Sequence, residues 1–201
     1  MRKALLTLLV LAICTLAVPG QQSKSGAISE PQWDRLYEAL ESEDWSKATE
    51  LSDTYLKQLK QEDGDKSMAR LRYMLIFASA GKVSQRTMTH EELGKILTDS
   101  VGKEVGLPAT RFTAKCQAPM GAFCVEESGD LFRAATNIKG TNIFAFERVK
   151  LKDKLDGQHE GDFGVVQGIV TSFELNPNKS TIWIMRLLIE KGQVTFGEPK
   201  R

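Results

Sequence analysis

From Pro31 to Val101 apolar residues return every three or four positions, and beyond Gly102 they return every two. The first spacing is that of a helix with one buried face, the second that of a strand. Trp33, Leu36, Tyr37 and Leu40 make one helical stripe. After the polar Glu41-Ser42-Glu43-Asp44, the series Trp45, Ala48, Leu51, Tyr55, Leu56, Leu59 makes a second. Two short amphipathic helices across a tight turn predict a helical hairpin. Ser29 or Glu30 suits the cap of the first helix and Pro31 its first turn, where the missing N–H costs nothing. The acidic, Gly-containing Glu62-Asp63-Gly64-Asp65 predicts a break. A third helix follows from Ser67 to Ala80, with Met68, Leu71, Leu75 and Ala78 on one side. Tyr73, Ile76 and Phe77 widen its apolar surface, so it is expected to be the most buried of the set, with Gly81 at its end. Thr89 followed three residues later by Glu92 has capping-box chemistry for a fourth helix reaching about Val101.

Past Gly102, glycines and prolines punctuate short runs rich in Val, Ile, Thr and Phe, the composition of a mainly antiparallel sheet or small barrel. The clearest strand pair is Gly164 to Leu175 with Ser180 to Lys191, joined by Asn176-Pro177-Asn178-Lys179. Val165, Ile169, Phe173 and Leu175 share one expected face of the first strand. The second is apolar on both faces, with Ile182, Ile184 and Leu188 opposite Trp183, Met185, Leu187 and Ile189. Such a strand is central or covered by a helix, and the helical unit is the cover at hand. The fold class is therefore α+β: helical hairpins over 30–104, then a β module over 105–201.

Asp44-Trp45-Ser46-Lys47-Ala48, with Trp33 and Leu36 as anchors of the preceding helix, resembles a tetratricopeptide-type repeat over residues 31–80. There an aromatic and a small alanine let two helices approach closely. The resemblance implies a repeat-like helical scaffold that binds protein. A stable array needs about three such units, so this one is expected to lean on the β module.

Met1-Arg2-Lys3, the apolar run from Ala4 to Leu16, and Ala17-Val18-Pro19-Gly20 follow the order of a secretory leader. An apolar run of about thirteen residues is short of the roughly 20 that a spanning helix needs. Residues 1–20 are thus expected to be a signal peptide cut after Gly20, with Ala17 as the alternative, and 21–29 a polar linker. Leu11-Ala12-Ile13-Cys14 is close to a lipoprotein box, but Ile13 stands where a small residue belongs. Removing the leader takes Arg2 and Lys3 away, so the formal charge falls from +1 to −1. A nearly neutral body has no global field to gather nucleic acid. Cys14 leaves as well, and the remaining Cys116 and Cys124 form an even pair that reads as a disulfide in an oxidising compartment. A periplasmic or secreted protein with no membrane span after processing is the expectation.

The chemistry-bearing candidates are few. Phe144, Phe146, Arg148, Lys150 and Lys152 fall on every second residue, continued by Lys154. Period two puts the five on one strand face, where aromatics beside cations suit a glycan or other polyanion. The same pattern serves as a solvated face that discourages edge pairing. Asp156, His159, Glu160 and Asp162 crowd one Gly-flanked loop, but their spacing departs from the EF-hand pattern, and a solvated turn is the expected reading. His90, at a helix start beside two glutamates, is expected at the surface. No nucleophile elbow, phosphate loop or metalloprotease spacing occurs. No catalytic residue, metal site or cofactor is assigned. The functional expectation is an exported, non-enzymatic protein-binding or scaffold protein of the cell envelope, its partner another envelope or secreted protein. The alternative is a β module that binds a glycan or polyanion.

Overall fold

A computed structural model describes residues 28–59, 65–113, 116, 120–155 and 159–197. The expected leader and most of the expected linker lie outside these residues. Four helices, α1 (Glu30–Glu41), α2 (Trp45–Gln58), α3 (Asp65–Ser84) and α4 (His90–Ser100), precede six strands. The strands are β1 (Glu104–Thr113), β2 (Phe123–Val125), β3 (Leu131–Thr136), β4 (Ile143–Leu151), β5 (Phe163–Leu175) and β6 (Trp183–Phe196). They close into a barrel in the order β1-β2-β3-β4-β6-β5. The expected architecture of helices followed by a small barrel is present. The pairs β1 with β2 and β4 with β6 are parallel, and the other four are antiparallel.

Local chemistry sets the helix ends. The Gln32 side chain accepts from the Ser29 N–H at 3.0 Å, tying off one of the free donors at the start of α1. Asp44 accepts from the Lys47 N–H at 3.1 Å and starts α2. In α4 the Thr89 hydroxyl accepts from the Glu92 N–H at 3.1 Å, and the Glu92 carboxylate takes the Thr89 N–H at 2.7 Å. These two bonds complete the expected capping box, and the Thr89 N–H together with the Thr89 hydroxyl, which donates to the same carboxylate oxygen at 3.0 Å, holds the exposed Glu92 carboxyl below its ordinary value.

α3 departs from expectation in a telling way. Gly81 does not end it; the helix runs on to Ser84. A β-carbon at Gly81 would lie 2.3 Å from Cδ2 of Trp45, so glycine is needed because the indole of α2 rests on the α3 backbone. No residue from Ser67 to Ser84 is exposed. A helix with no exposed position over these turns is covered on every side, and α3 lies between α2 on one flank and β1, β4 and β6 on the other. At Gly106 of β1 an added β-carbon would come within 3.2 Å of the Arg70 nitrogen, which marks how closely α3 sits on the barrel.

The helices and the barrel share one continuous apolar core. Leu36, Trp45, Tyr73 and Ile76 from the helices join Val105, Phe144, Val166 and Ile189 from the strands. Trp45, Phe77 and Phe144 form its aromatic centre, with ring centroids 5.0 to 5.8 Å apart. The β5 face read from the sequence is not continuous. The register with β6 shifts between Val170 and Ser172. Before the shift Val166 and Val170 are buried while Val165 and Ile169 are half-buried; after it Phe173 and Leu175 are the half-buried positions and Ser172 and Glu174 the exposed ones. Ile182, expected inside, is 69% exposed just before β6 begins. Cys116 and Cys124 are disulfide-bonded with Cα atoms 5.2 Å apart. Cys124 is buried on β2 and Cys116 is exposed, so the bond ties the chain after β1 to the shortest strand of the barrel.

Candidate functional site

The strand stripe predicted from 144 to 152 is broken by the fold. The register of β4 against β3 shifts between Ala135 and Thr136, where Ile143 and Ala145 face consecutive residues and Phe144 is left over. A residue in a bulge leaves the alternation. Phe144 therefore turns inward, 1% exposed, against Trp45 and Phe77. This corrects its expected place on a ligand face. Phe146, Arg148 and Lys150 do point outward, and Lys152 is exposed beyond the end of the strand.

The outward residues meet neighbours that the sequence did not link. Phe146 lies nearly parallel to Phe132 of β3, with centroids 6.1 Å apart and planes 14° apart. Trp183 of β6 stands 6.1 Å away on its other side. Arg148 donates to Glu126 at 2.9 Å, which raises its already high pKa, and Lys150 pairs with Glu190 at 3.1 Å. On the neighbouring strand Arg186 lies over the Trp183 ring at 4.7 Å and donates to Glu174 at 2.8 Å. Register places these groups in rows: Phe132 beside Arg148, Arg148 beside Leu188, and Leu188 beside Ser172, with Phe146, Arg186 and Glu174 in the next row.

A groove of about 520 Å³ runs over this outer sheet face. Phe132, Phe146, Phe173 and Leu188 give its apolar lining, and Arg148, Arg186, Glu174 and Ser172 its polar lining. The volume falls within the range of small-ligand sites. Each guanidinium on the groove is already neutralised by a carboxylate. The strand face predicted to be basic is charge-balanced at Arg148 and Lys150, and of that predicted stripe Lys152 and Lys154, beyond the strand, make no ion pair among the described residues.

Inside the barrel sits a second polar cluster, missed at the sequence level. Arg133 of β3 donates to Glu147 of β4 at 2.6 Å, to the Tyr73 hydroxyl of α3 at 2.7 Å and to Thr110 of β1 at 2.8 Å. Tyr73 in turn donates to the second Glu147 oxygen at 2.6 Å, and Thr110 to the Pro108 carbonyl at 2.8 Å. Glu147 is 0% exposed and the other three are at most 6% exposed. Burial pushes the Tyr73 phenol well above its ordinary pKa; Arg133 opposes the shift and Glu147 adds to it. Burial works against the Arg133 charge, but Glu147 and Tyr73 outweigh it and hold the guanidinium above its usual value. The cluster joins one helix to three strands. The alternation did carry a signal, since Arg133 stands between inward Leu131 and Ala135, and Glu147 between Ala145 and Val149.

The remaining candidates are placed as follows. Asp156 lies outside the described residues. His159 meets Asp162 at 3.1 Å through Nδ1 and stacks on Phe196 with centroids 3.9 Å apart, while Glu160 lies 3.3 Å from the Thr113 hydroxyl. Among the described residues no three acidic, His or Cys side chains converge as metal ligands. His90 is buried rather than at the surface, 8% exposed, with Nε2 lacking a hydrogen-bond partner. No helix among the described residues is long and apolar enough to cross a membrane. Compared with known proteins, the chain matches no family, no curated protein and no solved structure.

Proposed function

We propose that the chain is an exported, non-enzymatic binding protein of the cell envelope that recognises its partner with the outer face of β3, β4, β6 and β5. The carrying observation is the groove over the half-buried rings of Phe132 and Phe146, bordered by Arg186 stacked on Trp183. Aromatic rings held rigid by a sheet, beside fixed polar groups, are what binding sites use for affinity and orientation. The helical unit, whose repeat-like character suggested a protein scaffold, offers less. Its most apolar member, α3, is consumed by covering the barrel. A polyanion would have to displace Glu126 from Arg148 and Glu190 from Lys150, so the charge-balanced face argues for an uncharged partner surface. The disulfide agrees with export.

The test is capture of cell-envelope components, protein and glycan alike, on immobilised wild-type protein and on Phe146→Ala and Trp183→Ala. The expected result is a component retained by the wild type and lost from both variants, with circular dichroism unchanged. Retention that ignores both substitutions would overturn the assignment of this face.

A further inference from the structure

Resting on the sheet-face reading just given, we infer that the groove takes an uncharged saccharide chain. A pyranose ring presents apolar C–H faces and a rim of hydroxyls, and each hydroxyl can both donate and accept. The groove offers a counterpart to each feature. Phe132 and Phe146 are nearly parallel rings on adjacent strands, and Trp183 extends the aromatic strip across to β6. Such rings supply apolar area at low entropic cost because they have only two side-chain torsions each.

The rim of the groove supplies the polar half. Arginine can only donate and a carboxylate can only accept. Arg186 with Glu174 at 2.8 Å therefore presents donors and an acceptor side by side on one border of the aromatic strip, and Arg148 adds donors on the other. Arg186 uses one guanidinium nitrogen on Glu174 and lies against Trp183, so its other N–H groups stay open to a ligand. The Ser172 hydroxyl lines the same groove and adds a group that can both donate and accept.

Charge decides between ligand classes. Each cation on the groove carries its own carboxylate, so the face has no net charge with which to release counterions from a polyanion. A hydroxyl-rich neutral chain can join these ion pairs without breaking them. A protein partner needs about 800 Å² of surface on its side for a standard interface, yet the exposed large apolar side chains among the described residues, Val101, Met120, Ile138, Phe163 and Ile182, are not among the groove residues. The groove is a shallow cleft of mixed polar and apolar lining rather than an apolar patch.

The experiment is isothermal titration of the purified protein with three uncharged hexasaccharides, maltohexaose, cellohexaose and N-acetylchitohexaose, and with heparin as the polyanion. At least one neutral hexasaccharide is expected to bind. Phe146→Ala and Trp183→Ala should each weaken it tenfold or more, and Glu174→Gln, which keeps the fold but removes the charged acceptor, several-fold. A tenfold rise in salt should change that affinity less than twofold. Binding of none of the three, binding of heparin alone with a steep salt dependence, or binding indifferent to both aromatic substitutions would each overturn the inference. If the saccharides fail while Phe146→Ala still abolishes capture of an envelope protein, the saccharide inference falls and the recognition face stands. If capture is lost from neither variant as well, both fall.

Discussion

Replacing Glu147 by Gln leaves the Arg133 guanidinium buried with no opposite charge, its remaining partners being a neutral amide oxygen and the Tyr73 and Thr110 hydroxyls. With charge centres roughly 4 Å apart and an effective dielectric constant near 20, the lost attraction is about 4 kcal/mol. Breaking one side of a buried pair costs about 3–5 kcal/mol in measured cases, so the two routes agree. Arg133→Met strands the Glu147 carboxylate, which is 0% exposed, and should cost a similar amount. The double variant Arg133→Met with Glu147→Leu removes both charges and fills the space with apolar atoms. It leaves the Tyr73 hydroxyl without a partner, while Thr110 keeps its bond to the Pro108 carbonyl, a loss of about 1–3 kcal/mol. Each single variant should therefore be less stable than the double, with a coupling energy of at least about 3 kcal/mol. For a domain of this size the melting temperature falls by roughly 2–4 °C per kcal/mol, so each single variant should melt about 8–16 °C lower. Urea unfolding followed by circular dichroism and intrinsic fluorescence gives all four corners of the cycle. Singles that cost under about 1 kcal/mol, or a double that costs their sum, would refute the account of this cluster as a mutually dependent buried pair.

Three further outcomes follow from particular contacts. Gly81→Ala drives a methyl group to within 2.3 Å of the Trp45 ring and should destabilise by about 2–3 kcal/mol with a change in tryptophan emission; unchanged stability and emission would contradict the close approach of α2 and α3. Opening the Cys116–Cys124 bond by the paired serine substitution should cost about 2.5 kcal/mol from the short closed loop, read as a lower urea midpoint at equal slope. Tyr73 keeps its proton in the folded state to a higher pH than in the unfolded chain. Its contribution is therefore whole below about pH 10 and declines as the pH rises from there toward the raised folded value. The unfolding midpoint should fall above pH 10, and Tyr73→Phe should flatten that decline; an equally steep fall in the variant would place the titration elsewhere.

The helices and the strand-rich half were legible in the sequence because each depends on neighbours three, four or two residues away. The capping box at Thr89 and Glu92, the turn at Asp44 and the Cys116–Cys124 bond are local in the same sense, and the structure holds all three. The wide apolar surface of the third helix marked it as the most buried of the set, and no residue of it from Ser67 to Ser84 is exposed. What lay beyond reach depends on contacts between residues far apart in the chain. A bulge fixed by pairing with β3 turned Phe144 into the core and split the predicted stripe. The charges on that stripe were visible, but their neutralisation by Glu126 and Glu190, 22 and 40 residues away, was not. Gly81 looked like a helix end because glycine is a poor helix former, and only the indole of Trp45 explains why it sits inside one. Arg133 and Glu147 stand 14 residues apart, and only the register of β3 against β4 set them side by side. The sequence determined where elements form, since hydrophobic period and capping are local. Register, closure and the side chains that meet across strands were decided by the tertiary structure, because a single inserted residue reverses every face beyond it.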